Sequence, residues 1–174
     1  MIKLKFLIYF FFIGVITSFL FPPFFLLPLG FIIFPILLFL LNLKTYQSLN
    51  YKWHFFSGCF YGLGFFSIYL SWINEPFLIQ EITKKISFFS YLLIIYCSIY
   101  FGIVFLIINY FKEKYIKFIT LPLLIVIAEF ICANFIFGFP WLSFSLIHAA
   151  NKIGTSIIFY IGTYGLSLVT IYFF

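Results

Sequence analysis

Six apolar runs, separated by short polar or proline-containing breaks, set the pattern of this chain. They fall at about Phe6–Phe21, Phe25–Leu43, Trp53–Ile73, Phe88–Phe111, Phe118–Phe137 and Thr155–Phe174. Crossing about 30 Å of hydrocarbon takes roughly 17–25 residues of helix. The first run is short for this but usable, and the others fit. Inside lipid a backbone must satisfy its own hydrogen bonds, which leaves helices or closed barrels. The period-two alternation of a barrel strand is absent. The pattern therefore predicts an all-α protein, a polytopic bundle of about six transmembrane helices forming one membrane domain over residues 1–174. Pro28 and Pro35 lie in the second run, where neighbouring helices can satisfy the backbone groups they free.

Composition agrees. Hydrophobic residues make up 66% and charged residues 8%, with a mean hydropathy of +1.23. A soluble domain draws about a quarter of its residues from the charged types to cover its surface, so a soluble fold is excluded. The 31 Phe residues, together with many Ile, Tyr, Lys and Asn, are as consistent with an AT-rich genome as with function and are not read as a cofactor or nucleic-acid signal. The net charge of +6 comes from ten Lys against four Glu, with neither Arg nor Asp. These lysines sit singly or in small groups between apolar runs. That is the pattern of membrane flanks and not of a nucleic-acid surface, so no nucleic-acid partner is expected.

The lysines also predict orientation. With the N-terminus inside, Lys3, Lys5, Lys44, Lys52, Lys112, Lys114 and Lys117 fall on the inner side, and Lys84, Lys85 and Lys152 on the outer side. The positive-inside bias thus predicts an N-in topology, with loops 74–87 and 138–154 outside. Lys3 and Lys5 ahead of an apolar stretch resemble a signal peptide. No small-x-small site follows, however, and the run closes in Phe21-Pro22-Pro23-Phe24, so an uncleaved first helix is expected.

Chemistry-bearing residues are few. Cys59, Cys97 and Cys132 lie inside apolar runs without metal-type spacing and are expected to be buried free thiols. No cofactor or metal is implied. Gly58 and Gly62 form a G-x-x-x-G pair in the third run, and Gly64, Ser67 and Ser71 gather on another face. Small residues allow close helix approach, so this span is expected at the centre of the bundle.

Four stretches, in one register, resemble the N-terminal membrane half of the apolipoprotein N-acyltransferase family. They are Phe21-Pro22-Pro23-Phe24; Gly58 to Gly64 leading to Ser71-Trp72-Ile73; Glu129 followed nine residues later by Gly138-Phe139-Pro140-Trp141-Leu142; and Gly162-Thr163-Tyr164-Gly165-Leu166-Ser167. The third and fourth together are the most specific. The resemblance implies a multi-pass protein of the bacterial cytoplasmic (inner) membrane, active in lipoprotein biosynthesis. Its partners would be a membrane phospholipid as acyl donor and a diacylated lipoprotein as acceptor. In that family a nitrilase-like domain outside the membrane performs ping-pong acyl transfer with a Glu-Lys-Cys triad. None of the three cysteines here matches that nucleophile, so no catalytic residue is assigned. The sixth run reaches Phe174 without the usual polar flank. The expectation is a membrane portion cut before the catalytic domain and inactive alone, with a separate nitrilase-like domain as a further partner.

The resemblance nominates Gly138, Phe139, Pro140, Trp141, Glu129 and Trp72 as residues lining a lipid or substrate entrance. Local chemistry gives most of them a plainer role as well. Proline stops a helix, glycine permits a tight exit, and tryptophan prefers the headgroup level. Glu129 is the only ionisable residue deep within an expected span. A charge there costs about 2.5–3.5 kcal/mol on insertion scales, so it should face the interior, protonated or bonded to a polar group from elsewhere. Relatives carry Arg three positions later, where this chain has Cys132, and Gln where it has His148. Two readings from other classes compete: a non-enzymatic lipid-binding or scaffold membrane protein, and a small transporter. The second is disfavoured because the runs lack an array of ionisable sites near the midplane.

Overall fold

A computed structural model describes residues 2–135 and 138–174. The described residues are helical with short connections and form no strand. We number the main helices α1 (Ile2–Ser18), α2 (Gly30–Asn42), α3 (Tyr51–Tyr69), α4 (Phe89–Ile108), α5 (Lys114–Asn134) and α6 (Lys152–Phe173). Ile136 and Phe137, the expected end of the fifth span, lie outside the described residues.

The expected count of six spans is approximate. Helices α4, α5 and α6 are long and apolar enough to cross a membrane. A fourth span results if α3 is joined to Ser71–Leu78 across a 62° bend. Helix α1 has 17 residues, at the lower limit of a span. Helix α2 has only 13, about 20 Å at 1.5 Å per residue. The second run was expected from Phe25, but its start is taken up by the turn after the cis Pro22–Pro23 bond, by Phe25 at φ 51° and by a 3-10 turn at Leu27–Leu29. Helix α6 is broken at Gly162, which takes φ 70° and ψ 175°.

Helix α3 lies between α1 and α4; α4 continues to α5, and α6 packs on α5. Its small residues explain this place. A Cβ added to Gly58 would fall on the Phe101 carbonyl of α4, and one added to Gly64 on the Phe11 carbonyl of α1. Two glycine faces thus let two neighbours approach at backbone distance. The Tyr61 hydroxyl, between those faces, donates to Thr17 of α1 at 3.2 Å. Helix α4 divides cleanly: Ile95, Ile99, Ile103 and Ile107 form an exposed stripe at four-residue spacing, while Cys97, Phe101, Val104, Phe105 and Ile108 are buried. The exposed stripe is the lipid face of a helix whose other side packs on protein. Hydroxyls in apolar helices bond back to their own backbone, as Ser57 does to Trp53 and Ser98 to Ile94, which satisfies them without water.

The helices alternate in direction. The Lys3 ammonium sits 5.4 Å from the Trp53 ring centroid, joining the starts of α1 and α3. Lys117 near the start of α5 reaches Leu41 at the end of α2 and Asn109 just beyond α4. The seven lysines assigned to one side therefore gather at one end. Lys117 is not an exposed flank, however: it lies inside α5 and is fully buried. At the opposite end Phe21, Tyr69 and Phe144 meet, with centroids 4.9 and 5.2 Å from Phe21.

Candidate functional site

The end opposite the lysines is built by the way α5 stops. Asn134 donates back to the Phe130 carbonyl at 2.8 Å, and Phe135 adopts extended backbone. Gly138 takes φ 57°, a left-handed conformation that favours glycine. The Phe139 N–H then returns to the Cys132 carbonyl at 2.9 Å. The chain so turned re-enters the bundle. Leu142, Phe144 and Ile147 are buried, and Phe144–His148 forms a 3-10 turn. The Phe144 ring sits among Phe21, Phe34 and Phe65. The connection 138–154, expected outside the membrane, is thus not fully exposed: its middle is core. Alternation of Leu142 and Phe144 with Ser143 and Ser145 is the signal that could have found it.

Glu129 makes this re-entry possible. It is fully buried, and its Oε1 accepts the Phe144 N–H at 2.7 Å. Its other oxygen, Oε2, makes no hydrogen bond among the described residues, although the Ser143 and Ser167 hydroxyls are its polar neighbours. The Ser167 Oγ accepts the Ser145 N–H at 2.9 Å and lies 3.3 Å from Ser143 Oγ, itself 2.8 Å from Ser145 Oγ. The Glu129 carboxyl and the Ser167 hydroxyl thus take up two successive backbone donors, those of Phe144 and Ser145. The Cys132 thiol faces the Phe139 carbonyl at 3.5 Å and Cys97 of α4.

The six nominated residues fall in one region but not in one contact set. Trp72 and Trp141 are 46% and 44% exposed and meet edge to face, with centroids 5.2 Å apart. Phe139 is partly buried, Gly138 and Pro140 are exposed, and Glu129 is sealed below them. Sequence reasoning missed Ser143, Ser145 and Ser167. Ser143 and Ser145, with Ala133, Pro140 and Tyr164, line a cavity of about 190 Å³. The Gly162 break sets α6 beside this cavity: residues after it pack inward at Leu166, Ser167 and Thr170, whereas Phe159 and Tyr160 before it are exposed. His148 closes the segment through a 2.8 Å contact between Nε2 and Thr170 Oγ1. Burial holds its imidazole below the ordinary histidine range. Among the described residues no three metal-ligating side chains converge.

Residues 13–173 match the family described as the apolipoprotein N-acyltransferase N-terminal domain. No curated protein matches the chain.

Proposed function

The chain belongs to the apolipoprotein N-acyltransferase N-terminal domain family, and we propose that it serves as the membrane part of phospholipid-to-lipoprotein acyl transfer. The observation that carries this reading is the re-entrant segment pinned by Glu129 beneath the exposed Trp72–Trp141 pair. Tryptophans favour the headgroup level. Below them, a cavity lined by serine hydroxyls suits the polar part of a lipid, while the apolar helix faces around it suit acyl chains. In this reading the end of the bundle collects a phospholipid donor and a diacylated lipoprotein acceptor.

The chemistry itself is assigned to a nitrilase-like domain outside these residues. Acyl transfer through a thioester needs a thiolate with a base and an oxyanion stabiliser in fixed geometry. Cys97 and Cys132 are buried against one another between α4 and α5. Cys59 lies in α3, and its thiol would be the first atom met by a side chain added to Gly102 of α4. None of the three has a hydrogen-bonded histidine or carboxylate among the described residues. We further assign the lysine-rich end to the cytoplasmic face of a bacterial inner membrane, on the strength of the lysine distribution.

The test uses the purified chain in phospholipid nanodiscs with a phospholipid carrying a photoactivatable group beside its phosphate. Cross-links are expected to concentrate on 139–145 and Trp72, and to fall in Trp72→Ala and Trp141→Ala. Equal labelling of the Ile95–Ile107 stripe would remove the case for a lipid entrance. The same sample should carry no hydroxylamine-sensitive acyl group; one found on any cysteine would overturn the assignment of chemistry elsewhere. Orientation is checked by labelling Ser48→Cys and Gln80→Cys in intact cells, with only the latter expected to react from outside.

A further inference from the structure

The lysine-rich end holds a second polar group that the acyl-transfer reading does not use. The Lys117 ammonium donates to the Leu41 carbonyl at 2.6 Å and to the Asn109 side-chain oxygen at 3.3 Å. The first bond closes the last turn of α2, a usual role for lysine at a helix C-terminus. Neither partner is a carboxylate, and an ammonium has three protons to donate. A buried cation is costly unless paired and fully hydrogen-bonded. Next to it Tyr46 and His54, 0% and 6% exposed, meet edge to face at 4.8 Å. The Tyr46 hydroxyl and His54 Nδ1 make no hydrogen bond among the described residues. His54 lies within the field of the Lys117 charge.

His54 and Asn109 also wall a cleft of about 340 Å³, whose mouth is framed by Gln47, Tyr51 and Tyr110. His54 and Asn109 thus face the opening with Lys117 bonded behind Asn109, and among the described residues no carboxylate lines the cleft. Exposed Lys44, Lys52, Lys112 and Lys114 stand around the same end, against the single acid Glu113. A positive field focused on a cleft of donors selects an anion rich in acceptor oxygens.

We propose that the cleft before His54 and Asn109 binds a phosphate group, with Lys117, bonded to Asn109, supplying charge from behind. The phosphate comes either from an anionic phospholipid headgroup on the lysine-rich side or from free phosphate. This site lies at the opposite end from Glu129 and stands or falls apart from the acyl-transfer reading.

The experiment follows thermal unfolding of the whole chain in neutral detergent, titrated with inorganic phosphate, with phosphatidylglycerol, or with diacylglycerol, which has the same tails and no phosphate. A rise in Tm with inorganic phosphate identifies the free anion. A rise with phosphatidylglycerol but not with diacylglycerol or inorganic phosphate identifies the headgroup. Either supports the site, provided His54→Leu weakens the apparent affinity roughly tenfold or more, as loss of a hydrogen bond to a charged group does. Lys117→Met should weaken it as well, and if loss of the α2 cap unfolds that variant, His54→Leu decides alone. No rise with any phosphate probe, or an undiminished rise in His54→Leu, would overturn the proposal.

Discussion

Replacing Glu129 with Ala removes the acceptor of the Phe144 N–H, a 2.7 Å bond between fully buried groups. The neighbouring hydroxyls are already engaged: Ser167 accepts the Ser145 N–H, and Ser143 lies against both serines. A buried donor left without a partner costs about 1–3 kcal/mol, and every 1.4 kcal/mol is a factor of ten. Local opening of the 142–148 segment should therefore become roughly 5 to 150 times more frequent. Hydrogen exchange read by mass spectrometry on a peptide spanning that segment measures this directly. Peptides from α4, which does not touch the bond, should keep their protection. Glu129→Gln retains an oxygen in the same place, so its exchange should stay within a few-fold of the parent. Unchanged protection in Glu129→Ala would refute the pin. Equal acceleration in Glu129→Gln would show that negative charge, and not an acceptor, holds the segment.

Three further outcomes follow from particular contacts. Gly58→Val places a side chain on the Phe101 carbonyl, and overpacking of this kind should destabilise the α3–α4 pair by about 1–3 kcal/mol in a denaturant titration in micelles. Gly162→Ala has open space for its Cβ but sits at φ 70°; it should lose roughly 1 kcal/mol or more to backbone strain, or straighten α6, which a spin-label distance across the break would detect. Burial lowers the pKa of His148 from 6.5, so as pH falls below about 6.5 the unfolded chain takes up protons that the folded one excludes, and stability declines. The Tm should thus drop between pH 7.5 and pH 5.5, and His148→Gln should remove part of that slope. An identical slope in the variant would free His148 of this role.

The fold class was legible because 8% charge leaves no soluble surface to build, and because run length alone separates a span from a strand. The central place of α3 was legible for a local reason: glycines on two faces of one helix have no use unless two partners approach. Other features depend on facts that only assembly supplies. Whether Lys117 snorkels outward or turns inward depends on which helix end lies beside it, and here the open carbonyls of α2 do. Whether Gly162 continues a helix or breaks it depends on the demand for Ser167 beside Ser145, which the six-run pattern cannot express. The short α2 escaped because apolar loop residues such as Phe24, Phe25 and Leu26 look the same as apolar helix residues when both lie at membrane depth.

The same reasoning accounts for the one acidic residue inside a span. Non-helical backbone at membrane depth is tolerated only where protein buries and satisfies it, so a re-entrant segment needs acceptors beyond its own carbonyls. A carboxylate in a span needs donors, since without them it costs several kcal/mol. Three positions on, Cys132 offers no such donor from within the helix and turns to Phe139 and Cys97. The donors come instead from the chain that follows, with the Phe144 N–H on Oε1 and the serine hydroxyls beside it. Glu129 and segment 142–148 each supply what the other lacks: an acceptor for a buried N–H, and a donor for a buried carboxyl. Oε2 keeps a free acceptor among the described residues, with the Ser143 and Ser167 hydroxyls as the polar neighbours of its carboxyl.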